Sequence, residues 1–250
     1  MAYLDEGSGN PAVVLLHAFP LDAAMWEPQI EALSSQWRVV APTLAPEAHD
    51  PPSVDAMADT VALVIDELGL GPVVLGGLSM GGYAAFAFLR RHRELVRALV
   101  LADTRPGADT PEVRERRSNQ QAQVWAEGPE PIFDAMLQTL PSEHTRQHRP
   151  DVLARIRRVM DGVPAERVVA SLEAMKHRPD STPDLAGIDV PALVIVGEED
   201  AVSPPDVAED MRDRLPDARL AVIPRAGHLS SLEDPDAFTT ELRAFLEKLP

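Results

Sequence analysis

Val73-Val74-Leu75-Gly76-Gly77-Leu78-Ser79-Met80-Gly81-Gly82-Tyr83 is the stretch that decides the fold. Its first half is an unbroken apolar run, the pattern of a strand buried on both faces of a parallel sheet. Its second half opens a helical pattern over residues 80–91, rich in Ala, Phe and Leu. Between the two stands G-x-S-x-G, as Gly77, Ser79 and Gly81. A sharp strand-to-helix turn holds its central residue in a strained conformation and brings neighbouring chain so close that flanking positions must be small. The serine oxygen is then exposed at a helix N-terminus, where the Met80 N–H faces any oxyanion that forms. A glycine-rich turn without chemistry would carry the same five residues. The strand before it and the helix after it favour a nucleophile.

Outward from this turn, compact Val-, Leu- and Ile-rich runs recur at residues 12–17, 38–41, 72–76, 98–102, 192–196 and 219–223. Helical patterns at 24–34, 54–68, 80–91, 206–215 and 235–249 separate them. That alternation predicts an α/β fold with a mostly parallel sheet of about seven strands and helices on both faces. Residues 3–7 are a possible further strand. Residues 104–186 break the rhythm and read as several helices without a convincing strand, for example 111–125, 131–139, 150–160 and 164–177, each of these opening at or beside proline. The expected organisation is a core from 1 to 103, an inserted helical lid from 104 to 186, and the rest of the core from 187 to 250.

The charge is distributed along the same division. The 250 residues carry 23 basic and 40 acidic side chains, a formal net charge of −17. The expected lid holds 12 basic and 13 acidic residues, so nearly all of the excess lies in the core. A chain this acidic repels phosphate backbones and anionic lipid, which argues against nucleic-acid and membrane-surface partners. There is no cysteine, so disulfides, thiolate metal sites and thiol catalysis are ruled out. The N-terminus lacks a charged start followed by an apolar stretch, and no apolar run approaches the ~18 residues of a membrane helix. The expectation is a soluble, cytoplasmic protein.

A serine nucleophile needs a base. Among seven histidines, His228 follows the last strand pattern and precedes the last helix, on a loop at the same sheet edge as Ser79. His49, His92, His144, His148 and His177 lie among charged or proline-rich residues and read as solvated. For the carboxylate that orients the base, the strand ending Val194-Ile195-Val196-Gly197 leads into Glu198, Glu199 and Asp200. Asp200 is furthest into the loop and is the choice here. Asp103, at the end of another strand, is the alternative, with a hinge or cap as its plain reading. A second oxyanion donor is the backbone N–H of Phe19, in Leu15-Leu16-His17-Ala18-Phe19-Pro20, beside that of Met80. His17 reads as a structural residue of that loop. No metal, nucleotide, flavin or other cofactor is implied.

These residues resemble the α/β-hydrolase family. The matching pieces are His17-Ala18-Phe19-Pro20, the elbow Gly77–Gly82, the acid segment Gly197–Pro204 and Gly227-His228, in the family's order across nearly the whole chain. Leu78-Ser79-Met80-Gly81-Gly82 and His228-Leu229-Ser230-Ser231-Leu232-Glu233-Asp234-Pro235 look like the small serine esterase, enol-lactonase and cofactor-free haloperoxidase group. Serine at 79 separates the chain from relatives with an aspartate nucleophile. Departures are Ala18 where the family has glycine, the glycine-free turn Thr43–Asp50, and a short N-terminus that leaves fewer than the usual eight strands.

The resemblance implies acyl transfer on a small-molecule ester. Ser79 is the expected nucleophile, His228 the base, Asp200 its orienting acid, and Phe19 and Met80 the oxyanion donors. The alternatives are a lactonase or C–C bond hydrolase on a small carboxylated substrate held by Arg105, Arg155 or Arg158, a perhydrolase side activity, and a ligand receptor that keeps the fold without turnover. Candidate apolar lining from the lid is Trp125, Ile132, Phe133, Met136, Leu137, Leu140 and Met160.

Overall fold

The computed structural model describes residues 2–249. Seven strands form one sheet: β1 (Tyr3–Glu6), β2 (Val13–Leu16), β3 (Val39–Pro42), β4 (Val73–Leu78), β5 (Val96–Ala102), β6 (Ala192–Gly197) and β7 (Ala218–Ile223). Their order across the sheet is β1-β3-β2-β4-β5-β6-β7. Only β1 runs antiparallel, against β3, and every other pairing is parallel. The possible strand at residues 3–7 is therefore real, and it covers one edge. β2 and β4 are buried at every residue, which is why their sequences show no polar alternation.

Eleven α-helices are seen among the described residues: α1 (Glu27–Leu33), α2 (Val54–Glu67), α3 (Met80–Arg91), α4 (Pro111–Glu127), α5 (Glu130–Thr139), α6 (Glu143–His148), α7 (Pro150–Asp161), α8 (Ala165–Lys176), α9 (Pro205–Arg214), α10 (Ser230–Glu233) and α11 (Pro235–Leu246). Their ends follow local chemistry. Ser53 Oγ accepts from the Ala56 N–H at 3.0 Å to start α2, which stops before Gly69 at φ 60°. Asp234 accepts from the Ala237 N–H at 3.0 Å to start α11, with Pro235 in its first turn.

Several expectations are corrected. The run at 72–76 extends through Leu78, because Gly76 and Gly77 pair with Leu15 and Leu16 on one side and Val100 and Leu101 on the other. Two neighbouring ladders outweigh the weak strand preference of glycine. The helix expected over 24–34 is a 3-10 turn, Ala23–Trp26, followed by α1. Residues 104–186 contain a helix beyond the four ranges read from the sequence, α6, which Ser142 caps by accepting from the Thr145 N–H at 3.0 Å. All five, α4 to α8, stand between β5 and β6 in the chain.

Strand order fixes where a site can form. From β2 the chain passes to β3 on one side and then returns to β4 on the other. Loops leaving the carboxyl ends of β2 and β4 diverge there and leave a crevice between them. The His17–Pro20 segment leaves β2 and Ser79 leaves β4. No helix among the described residues is long and apolar enough to cross a membrane.

Candidate active site

Ser79 sits between β4 and α3 at φ 53° and ψ −111°, a conformation that costs about 1–3 kcal/mol for a residue other than glycine. The surroundings hold it there. Its N–H donates to the Ala102 carbonyl at 3.0 Å, and Thr104 Oγ1 donates to the Ser79 carbonyl at 2.8 Å. A Cβ at Gly77 would lie 2.2 Å from the Gly81 carbonyl oxygen, and one at Gly81 would lie 2.1 Å from that of Leu16. The small residues of the elbow are thus dictated by the return of its own chain and by β2 beside it.

Three expected side chains meet. Ser79 Oγ lies 2.8 Å from His228 Nε2, and His228 Nδ1 lies 3.0 and 2.9 Å from the two oxygens of Asp200. All three residues are buried. A carboxylate only accepts, so Nδ1 carries the proton and Nε2 is left free to accept from the Ser79 hydroxyl. Asp200 Oδ1 also accepts from the Val202 and Ser203 N–H groups at 2.8 and 2.9 Å, which fixes the carboxylate plane. The expected oxyanion donors lie beside Ser79. Met80 is the first residue of α3, and Phe19 lines one cavity with Ser79 and His228. Neither amide makes a hydrogen bond among the described residues.

Asp103 is not on the histidine. It is fully buried at φ 43°, with Oδ1 accepting from the Gly197 N–H at 2.9 Å and Oδ2 from Ser230 N–H and Oγ–H at 3.1 and 2.6 Å. Burial pushes its carboxyl well above the usual range and the neighbouring Asp200 charge adds to this, against the Ser230 and Gly197 hydrogen bonds. It straps the strand before Asp200 to the loop after His228. Glu233 does a similar service and was missed from sequence. Buried, it accepts from the Gly227, Leu229 and Ser142 N–H groups at 3.0, 3.2 and 2.8 Å, holding both sides of His228. Its signal in the sequence is an acid five residues after His228, closing the short run Leu229-Ser230-Ser231-Leu232.

His17 is structural, as expected. Its Nε2 accepts from the Leu44 N–H at 2.8 Å, its Nδ1 donates to the Ala18 carbonyl at 3.0 Å, and burial drives its pKa down to about 4. Ala18 has no left-handed φ, so the family's glycine is not needed at that position. Of the histidines read as solvated, His49 and His92 are half-buried and bonded to Thr60 and Asp59, each at 2.8 Å.

The cavity at Ser79 has a volume of about 480 Å³. Ile132, Met136 and Leu140 line it, whereas Phe133 and Met160 are packed away and Trp125 is 62% exposed. Leu137 is not part of the lining either. Arg105 lines it too. Arg155 and Arg158 belong to a separate surface cleft with Asp22 and Glu27 and do not reach Ser79. Among the described residues no three His, Asp or Glu side chains converge as metal ligands.

A sequence profile for the alpha/beta hydrolase fold matches residues 11–235. The chain belongs to the α/β-hydrolase family. Among relatives of this α/β-hydrolase, a pimeloyl-[acyl-carrier protein] methyl ester esterase of Neisseria meningitidis serogroup C is 28% identical over 256 residues, covering 94% of this chain and 93% of that one. A thermophilic esterase from Thermogutta terrifontis, solved with malate bound, superposes with a TM-score of 0.95 at 41% identity, over 99% of this chain and 93% of that chain. The enol-lactonase from Burkholderia xenovorans LB400 gives 0.89 at 29% identity, over 99% and 96%.

Proposed function

We propose that this α/β-hydrolase is a serine esterase that cleaves carboxylic esters of small molecules through an acyl-enzyme. The observation that carries the reading is the relay Ser79 Oγ to His228 Nε2 at 2.8 Å, with Asp200 on Nδ1, at a cavity wall. His228 takes the hydroxyl proton as Ser79 attacks the ester carbonyl, and Asp200 stabilises the imidazolium. The Phe19 and Met80 amides receive the oxyanion, each contribution being worth about 3 kcal/mol in comparable sites. The imidazolium then protonates the leaving alcohol. Water, deprotonated by the same histidine, releases the acid and restores Ser79. In this reading α4 to α8 form a lid over the nucleophile, and neither nucleic acid nor a membrane takes part. Likeness to the enol-lactonase supports including lactones, which are esters whose alcohol stays tethered.

The test is a fluorophosphonate label followed by a panel of esters and lactones of graded acyl length. A covalent adduct on Ser79, with adduct and turnover both lost in Ser79→Ala, is the expected result. An adduct that persists in Ser79→Ala, or none in the native chain, overturns the reading.

A further inference from the structure

The wall of the Ser79 cavity differs in charge from the rest of the molecule. The chain has 40 acids against 23 bases, yet the lining holds three arginines, Arg105, Arg116 and Arg117, and no Asp or Glu. Elsewhere many arginines are matched, Arg91 with Asp59, Arg214 with Asp210 and Arg157 with both Asp134 and Asp161, while others, Arg97 and Arg114 among them, stand on the surface without an ion pair among the described residues. Arg105 and Arg116 have no ion pair among the described residues. Arg117 shares one carboxylate with a second arginine. Asp109 accepts from Arg117 Nε at 2.5 Å and from Arg178 Nη1 at 2.6 Å, all three side chains being mostly or wholly buried. Two guanidiniums on one carboxylate leave a positive charge unmatched. Arg178 lies 4.0 Å above the ring of Tyr83, itself part of the lining. The same lining includes the apolar side chains of Ile132, Met136, Leu140 and Met175.

We propose that the ester this enzyme cleaves carries a second, anionic group, a carboxylate seated on Arg105 and Arg116. The class is half-esters of short dicarboxylic acids, in which the acyl chain ends in that carboxylate. The proposal rests on the esterase reading above. Guanidinium is the cation best suited to hold a carboxylate, by paired N–H donors, and a partly enclosed site strengthens the contact. The apolar lining residues suit the methylenes between the two ends. The reaction balances simply: the acyl C–O bond breaks, water supplies OH to the acyl carbon and H to the alkoxide, and a dicarboxylate and an alcohol leave.

The experiment compares pairs in which a carboxylate replaces a methyl. Ethyl hydrogen glutarate is set against ethyl valerate, and carboxymethyl butyrate, with the charge on the alcohol, against ethyl butyrate. The expected result is a preference in kcat/KM of about tenfold or more for the first half-ester over its neutral partner, as one charged contact provides. The ratio collapses towards one in Arg105→Gln/Arg116→Gln. It stays in Arg114→Gln, which removes a nearby α4 charge outside the cavity. Glutarate inhibits competitively, and more weakly in the double variant. A neutral ester turned over as fast as its half-ester overturns the proposal and leaves the esterase reading intact. A preference confined to carboxymethyl butyrate overturns the acyl placement, and one that survives the double variant overturns the seat. No label on Ser79 with no ester cleaved overturns both readings.

Discussion

Protonating His17 should unfold the loop that carries Phe19, and the size of the effect follows from its burial. The ring is 1% exposed, accepts from the Leu44 N–H and has its pKa lowered from 6.5 to about 4, chiefly by desolvation. A folded-state pKa below the unfolded value means the folded chain holds the neutral ring. That contribution is complete above 6.5 and drains away as pH falls towards 4. Over the full window it amounts to about 3 kcal/mol, and about 2 kcal/mol is lost already between roughly pH 7 and pH 5, above the main carboxylate range. The assay is urea unfolding at those two pH values, for the native chain and for His17→Gln, which has no charge to gain. The native chain should lose about 2 kcal/mol more than the variant over that interval. Parallel losses would refute a buried neutral imidazole at the base of the loop.

Asp200→Asn should lower kcat about ten-thousandfold by spoiling the histidine tautomer, with Asp103→Asn the milder change; the reverse order in a steady-state ester assay would make Asp103 the acid. Gly81→Ala places a Cβ 2.1 Å from the Leu16 carbonyl oxygen, so thermal unfolding should show a loss of about 1–3 kcal/mol and fluorophosphonate labelling should slow. Asp109→Ala strands Arg178, whose side chain is 2% exposed, without a counter-charge, and denaturant titration should show about 3–5 kcal/mol of destabilisation.

Much of this was legible in the sequence because burial on both faces leaves a plain mark. β2, β4, β5 and β6 stand out as apolar runs, and Ser79, Asp200 and His228 are each marked by a strand ending just before them. What escaped was set by tertiary partners. The strand through Gly76 and Gly77 is held by its two neighbours, and no propensity announces it. Asp103 and Asp200 both follow strands, and only coordinates tell which reaches Nδ1 of His228 and which takes Ser230. Helical spacing groups Arg155 and Arg158 on one face but does not say which opening that face borders. Likewise Trp125 of α4 is 62% exposed and away from the cavity, while Arg116 and Gln120 of the same helix line it.

The tripeptide Ala102-Asp103-Thr104 touches the Ser79 turn through a carbonyl and a hydroxyl, and the loops of Asp200 and His228 through one carboxyl. A tilt or slide of the β5 terminus would therefore carry Ser79, Asp200 and His228 together as a common-mode displacement, leaving the gaps between them nearly constant. Disturbance arriving from α4, which follows this tripeptide in the chain, is filtered in the same way. On the esterase reading proposed above, the helices between β5 and β6 would be free to shift or be rebuilt while the Ser79–His228–Asp200 distances keep their length, so that recognition and chemistry would drift at different rates in one chain.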